Sequence, residues 1–235
     1  RRLEIILGPT AVGKTDYSIC RALEYGSPVI SCDSRQIYKE MTIGTAVPDA
    51  SQLAAVKHYF IQTIPVTSAY TAGDYEQDAL ALIRDLFNQG HETLVMTGGS
   101  MFYIDAVCNG IDDIPTIDNK TREWMKQRLA TEGLPALVDE LHELDPVHWA
   151  IVDKNNPRRV VHALEICHMT GKTYSSFRTN SRKQRPFDII KIGLNIDREQ
   201  LYDRINQRVL QMIDNGMIEE ARKVYPLRHL NALNT

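Results

Sequence analysis

Long apolar runs are missing from this sequence: none approaches the roughly 18 consecutive apolar residues that a membrane span requires. No secretory signal opens it either, so a cytoplasmic, non-membrane protein is expected. Cysteine is scarce. The four present (Cys20, Cys32, Cys108, Cys167) are scattered without metal-ligand spacing, and the seven histidines form no ligand pair. That argues against a disulfide scaffold and against a zinc site, and for reduced core thiols. Internal repeats and low-complexity tracts are absent as well. What remains is 235 residues, 43% of them apolar, enough to bury a full core as one large domain or as a core with an insertion.

The strongest positive feature is Gly8-Pro9-Thr10-Ala11-Val12-Gly13-Lys14-Thr15, a complete G-x-x-x-x-G-K-[ST] loop. It follows the apolar run Leu3, Ile5, Ile6, Leu7 and opens into a helical stretch. Backbone N–H groups of such a loop close around phosphate oxygens at a helix N-terminus, where the dipole favours negative charge. Lys14 would reach the outer phosphate, and the Thr15 hydroxyl would hold Mg²⁺. A chance match in a structural turn is the plain alternative, but strand, loop, Lys-Thr and helix all stand in order. The loop predicts polyphosphate binding.

A second apolar strand, Pro28 to Cys32, ends in Asp33-Ser34-Arg35-Gln36. Ligands of open parallel sheets sit beyond the carboxyl ends of the strands, so Asp33 is expected beside the phosphate loop, placed to take a proton from a nucleophile. Capping of the next turn is the structural alternative. A third strand, Thr93 to Thr97, runs into Gly98-Gly99-Ser100. ATPases and GTPases of this loop class commonly end such a strand in a metal-holding Asp. Its absence counts against a motor or switch and for group transfer.

Residues 1–110 alternate strand and helix: strand 3–7, helix 15–25, strand 28–32, a polar loop region, helix 74–88, strand 93–97, helix 100–108. The order predicts a doubly wound, mostly parallel α/β sheet. Residues 111–186 read as helices broken at Pro115, Gly133-Leu134-Pro135, Asp145-Pro146 and Asn156-Pro157. Strand character returns at 189–194. A P-loop core (1–110 with 187–235) interrupted by a helical insertion (111–186) is the simplest architecture. Net charge is −3, but it hides an asymmetry: residues 112–153 hold four Lys/Arg against ten Asp/Glu, and 154–185 hold eight Lys/Arg against Glu165 alone. A basic surface for a phosphate backbone and an ordinary solvated face both fit. Arg158 and Arg159 at a probable-looking helix entry after Asn156-Pro157 favour the first. Residues 181–186 read as a mobile basic loop.

From Arg198 to about Asn215 a helix is expected, capped by Asp197 with Gln200 placed as in a capping box. Leu201, Ile205, Met212 and Ile213 form an apolar stripe, with Arg204 and Arg208 on or beside it. An arginine on a buried stripe needs a carboxylate partner or a bound anion.

Taken together, the phosphate loop, Asp33-Ser34-Arg35-Gln36-Ile37-Tyr38, Ile43-Gly44-Thr45-Ala46 and Gly98-Gly99-Ser100-Met101-Phe102-Tyr103 resemble the tRNA dimethylallyltransferase family. Ala163-Leu164-Glu165-Ile166, Thr170-Gly171-Lys172, Ile192-Gly193-Leu194 and the run from Asp197 to Val209 extend the resemblance over nearly the whole chain. It implies transfer of a dimethylallyl group from dimethylallyl diphosphate to the exocyclic amine of an adenosine beside a tRNA anticodon. Asp33 would be the base, Gly8 to Thr15 would hold the diphosphate with Mg²⁺ on Thr15, and Arg208 would stabilise the leaving group. Contacts with the anticodon stem-loop would come from Asp33, Ser34, Arg35, Gln36, Ser100, Arg122, Arg158, Arg159, Val160, Val161 and His162. The family usually has Thr in place of Ser100 and Arg in place of His162, and it usually continues with helices beyond Thr235. A monomer is expected. Three rivals stay open on residues alone: a P-loop small-molecule kinase, a prenyltransferase acting on free AMP or ADP, and a noncatalytic nucleotide-dependent RNA binder.

Overall fold

The computed structural model describes residues 1–112, 114–179 and 182–233. Ser181, at the head of the expected basic loop, lies outside them, as do Asn234 and Thr235. Contacts divide the chain into two units, Arg1–Ile111 with Lys183–Thr235, and Asp112–Arg182.

The first unit is an α/β layer structure. In chain order it contains β1 (Arg2–Leu7), α1 (Lys14–Tyr25), β2 (Val29–Ser31), α2 (Ala50–Ala55), β3 (His58–Tyr59), α3 (Ala72–Asn88), β4 (Thr93–Thr97) and α4 (Met101–Asn109). The strands form one all-parallel sheet with β5 (Asp188–Gly193), in the order β3-β2-β4-β1-β5. Leu3, Ile5, Ile6, Val29, Ile30, Leu94, Val95 and Met96 are fully buried, as expected of parallel strands covered on both faces. Glu4 interrupts β1, and Arg21 of α1 neutralises it through a two-pronged ion pair of 2.8 and 3.0 Å. Helix α3 starts in a reciprocal cap between Thr71 and Asp74 and buries Tyr75, Ala79, Ile83 and Leu86 at helical spacing. Tyr75 stacks on Tyr103 with ring centroids 4.1 Å apart, and its hydroxyl donates to the Ser31 carbonyl at 2.8 Å. A core aromatic thus props up the end of β2.

The polar loop region expected between β2 and α3 holds α2 and β3 instead. Both are too short to show a period, and β3 exists through its two-residue pairing with Val29 and Ile30.

The second unit is helical: α5 (Asn119–Leu144), α6 (Pro146–Ile151), α7 (Pro157–Thr170) and α8 (Tyr174–Phe177). Helix α5 bends at Gly133, just before Pro135, and Arg128 ties its halves by pairing with Glu132 at 2.6 Å and Glu140 at 2.8 Å. Met125, Leu137, Leu141, Val160, Ala163 and Leu164 make its core. Asp145 is fully buried between α5 and α6. Burial opposes its charge, but bonds from the His148 and Ser175 amides and the Ser175 hydroxyl outweigh it and lower its pKa.

The rest of the first unit follows β5: α9 (Arg198–Asp214), α10 (Met217–Val224) and a 3₁₀ turn (Tyr225–Leu227). Asp197 caps α9 by accepting from the Glu199 and Gln200 amides, and Gln200 makes no reciprocal bond, so the expected capping box is half formed. The mobile basic loop is corrected at its C-terminal part. Arg185 is 9% exposed, pairs with Glu76 at 2.8 Å and donates to the Ala106 and Val107 carbonyls. The buried Glu76 carboxylate also accepts from the Ile111 amide at 2.9 Å, and a carboxylate in that setting demands a fixed cation. Glu76→Ala, which leaves Arg185 buried and unpaired, should cost about 3–5 kcal/mol in urea unfolding. An unchanged transition would mean that the pair contributes nothing net.

Candidate active site at the carboxyl edge of the sheet

The phosphate loop leaves β1 at Leu7 and enters α1 at Lys14. Gly8 is irreplaceable there: at φ 151° a Cβ would lie 2.7 Å from the Leu194 carbonyl oxygen. Ala11 sits at φ 62°, a left-handed conformation that costs an L-residue roughly 1–3 kcal/mol and is typical of ligand-clamping loops. Val12 is buried and wedges the loop from below. No side chain caps the N-terminus of α1, so its amides face outward, ready for an anion. The Lys14 ammonium folds back to donate to the Gly8 carbonyl at 2.9 Å and the Pro9 carbonyl at 2.7 Å. Burial lowers its pKa, and the nearby Arg208 lowers it further, against a smaller opposing pull from Asp33. Two cations crowded against a ring of amides are stabilised by a multiply charged anion.

Two strands away, Asp33 follows β2. Its Oδ1 accepts from the Arg35 amide at 2.8 Å and the Gln36 amide at 3.2 Å. The turn-capping alternative is therefore realised, with one oxygen only. Asp33 lines the same cleft as the loop, and the neighbouring Gly99 lies on the Oδ2 side, where an added Cβ would stand 3.6 Å from that atom. Strand β4 runs between β1 and β2, so loop and carboxylate are separated by two strand spacings, roughly 9–10 Å. The end of β4 must be bare for this to work. A Cβ on Gly98 would fall 2.5 Å from the Cys32 carbonyl carbon and 2.7 Å from the Asp33 nitrogen. Thr97, in place of a metal-holding Asp, reaches only the Ile6 carbonyl at 3.5 Å.

These parts open into one cleft of about 1220 Å³, larger than the 300–1,000 Å³ usual for a single small ligand. Thr15 lines it. So does α9, which corrects the expectation of a buried stripe: no residue of α9 is buried. Its apolar and arginine positions, among them Arg204, Ile205, Arg208 and Met212, face the cleft rather than the core. Arg208 has no carboxylate partner among the described residues, which leaves the bound-anion alternative.

The other expected contact residues divide. Ser100 stands at the N-terminus of α4 without using its hydroxyl as a cap, while its amide donates to the Cys32 carbonyl at 3.2 Å. Ser34 is half-buried beside Asp33. Arg35 and Gln36 are committed internally. The Arg35 guanidinium donates to the Ala232 carbonyl, and the Gln36 amide donates to the carbonyls of Thr45 and Ala46 at 3.1 and 2.9 Å. In the helical unit, Arg122, Arg158 and Arg159 are exposed, the last two in the first turn of α7, which Asn156 caps. Val160 is a correction: it is fully buried in the helical core, so its side chain cannot touch RNA. Val161 is half-buried against the same core. His162 packs edge-on against Tyr174, and burial, then Arg122, lower its pKa and favour the neutral ring. The sequence reading missed Gln52, His58 and the wall from Gly44 to Pro48, all on the cleft. Only the Ile43-Gly44-Thr45-Ala46 motif pointed that way.

Fold and site together define a P-loop α/β protein that pairs a diphosphate cradle with a carboxylate across one cleft. The sequence profile of the IPP transferase family matches residues 36–235, and the chain belongs to that family. The phosphate loop lies outside the matched stretch and speaks independently. The chain is 57% identical over 233 residues to tRNA dimethylallyltransferase 1 of Phocaeicola vulgatus, covering 99% of this chain and 77% of that one. A crystal structure of full-length tRNA isopentenylpyrophosphate transferase from Bacillus halodurans is similar with a TM-score of 0.66 and 34% identity, over 100% of this chain and 74% of the other. A eukaryotic dimethylallyltransferase acting on tRNA gives a TM-score of 0.82 at 25% identity, over 97% and 56%.

Gly98→Ala should displace Asp33 and lower turnover by about 100-fold, the scale of a 1 Å misplacement. Steady-state kinetics would check it, and near-normal kcat would show that the bare strand end does not position the carboxylate.

Proposed function

We infer that the chain transfers a dimethylallyl group from dimethylallyl diphosphate to the exocyclic amine of an adenosine in the anticodon stem-loop of a tRNA. The observation that carries this is the pairing of Asp33 Oδ2 with the phosphate loop across a cleft roomy enough for two reactants.

An exocyclic adenine amine is a poor nucleophile because its lone pair is delocalised into the ring. Asp33 accepts a hydrogen bond from it and takes its proton as nitrogen attacks C1 of the allylic donor. The C1–O bond breaks and the electron pair leaves with the diphosphate. Amides of residues 10–15, Lys14 and Arg208 hold the growing charge. No phosphoryl group moves, which fits a β4 that ends in Thr97-Gly98-Gly99 without an acidic residue. Mg²⁺ suits the site. It is typically held by one or two protein oxygens with substrate phosphates and water, and the Thr15 hydroxyl on the cleft supplies one. When bound, the ion would neutralise charge on the diphosphate.

The adenosine must be unstacked to reach Asp33, at a cost of a few kcal/mol. Phosphate contacts from Arg122, Arg158 and Arg159 of the helical unit offset that cost. His162, neutral at physiological pH, adds charge there only as pH falls through its lowered pKa.

Two measurements test the reading. Protein, bulk tRNA, Mg²⁺ and dimethylallyl diphosphate should yield prenylated adenosine by mass spectrometry. AMP and ADP should yield little, and labelled ATP should transfer no phosphate. Asp33→Ala should cut turnover about 10²–10⁴-fold while tRNA affinity stays within a few-fold; retained turnover removes Asp33 from the chemistry. Replacing Arg158 and Arg159 with Ala should weaken tRNA binding and reduce the slope of log K against log salt by roughly 1.5 to 2. An unchanged slope would mean that this turn does not touch RNA.

A further inference from the structure

Three consecutive backbone amides converge on one distant carboxylate. The Thr42 and Ile43 amides donate to Glu220 Oε2 at 3.0 and 2.8 Å, and the Gly44 amide donates to Oε1 at 2.9 Å. Such a run of N–H groups is an anion nest, and here the anion is a side chain of α10. The fit around it is close. A Cβ on Gly44 would stand 3.5 Å from Oε1 and 3.8 Å from the Met217 side chain, and the Ile43 side chain reaches towards Gly216. Hydrogen bonding to a charged acceptor makes these contacts stronger than ordinary loop bonds.

What Glu220 fastens matters more than the bonds themselves. On one side, the segment that includes Gly44, Thr45, Ala46 and Val47 is a wall of the reaction cleft. Gln36, in the turn organised by Asp33, grips the same wall through Thr45 and Ala46. On the other side, α10 follows α9 after Asn215-Gly216, and α9 carries Arg208. With no buried residue of its own, α9 lacks a core to hold it. Contacts at its ends must set where its arginine points.

We propose that Glu220 is a positioning residue for the diphosphate end of the site: it latches the α9–α10 hairpin to the cleft wall and so holds Arg208 towards the phosphate loop. The proposal rests on the prenyl-transfer reading for its catalytic meaning, but its test does not. Inorganic diphosphate serves as the probe, since its binding requires no reaction. Glu220→Ala should weaken diphosphate binding by about 10-fold or more, as should Arg208→Ala, and the double variant should be little weaker than either single one. Glu220→Gln, which keeps the shape but only one acceptor oxygen, should fall between. Amide exchange at residues 42–44 should accelerate in both Glu220 variants.

In the prenylation assay the donor KM should rise while the tRNA KM stays within about 3-fold. Wild-type diphosphate affinity in Glu220→Ala overturns the proposal. So does full additivity with Arg208→Ala, or a change confined to melting temperature. A wild-type protein that binds diphosphate but prenylates no tRNA would defeat the functional reading and leave this test intact.

Discussion

The site depends on a clearance. Strand order places β4 between the strand that feeds the phosphate loop and the strand that presents Asp33, so the end of β4 fills the only direct path between the two groups. A side chain at position 98 would collide with the backbone of Cys32 and Asp33. Relatives of the fold that hydrolyse nucleotides put an acidic side chain at this strand end. Here the absence of side-chain bulk lets the carboxylate approach, and leaves a gap that can take an organic acceptor. One position in the sequence thus separates holding a leaving group from cleaving a phosphate.

Around that gap the charges are arranged before any substrate arrives. Lys14 is satisfied by two loop carbonyls, so a diphosphate exchanges neutral acceptors for charged ones instead of rescuing a bare ammonium. Asp33 keeps its orientation through two turn amides, and the strand below it is braced by Tyr75. Little reorganisation is left for the reaction itself, the condition under which fixed dipoles lower a barrier most.

Much of this was legible in the residues. The phosphate loop and the three long strands announce themselves because each combines a strong local pattern with a chemical motif, and the helix breaks of the insertion fall at its Gly-Pro and Asn-Pro punctuation. Charge reads less well. Arg185 looked like part of a mobile basic tract, yet it serves a buried carboxylate 109 positions away. The stripe of α9 looked like core and proved to be cleft lining, since periodicity tells which face is apolar and not what it faces. Val160 sat inside a run of RNA-facing positions, and its neighbours in space, not in sequence, decide that it is core. α2 and β3 were invisible because tertiary pairing, and no local preference, creates them. Glu220 had no signal at all: a glutamate on a charged helix acquires meaning only when a loop 176 to 178 residues earlier folds onto it.

The division of labour within the Asp33 carboxylate has a consequence for repeated turnover. The turn is secured by Oδ1 alone, while an incoming proton arrives at Oδ2. Protonation therefore leaves both turn bonds standing, and the group can cycle between its two forms without the backbone of Ser34 to Gln36 shifting. Resetting the base between rounds needs the departure of one proton to water, and no conformational recovery.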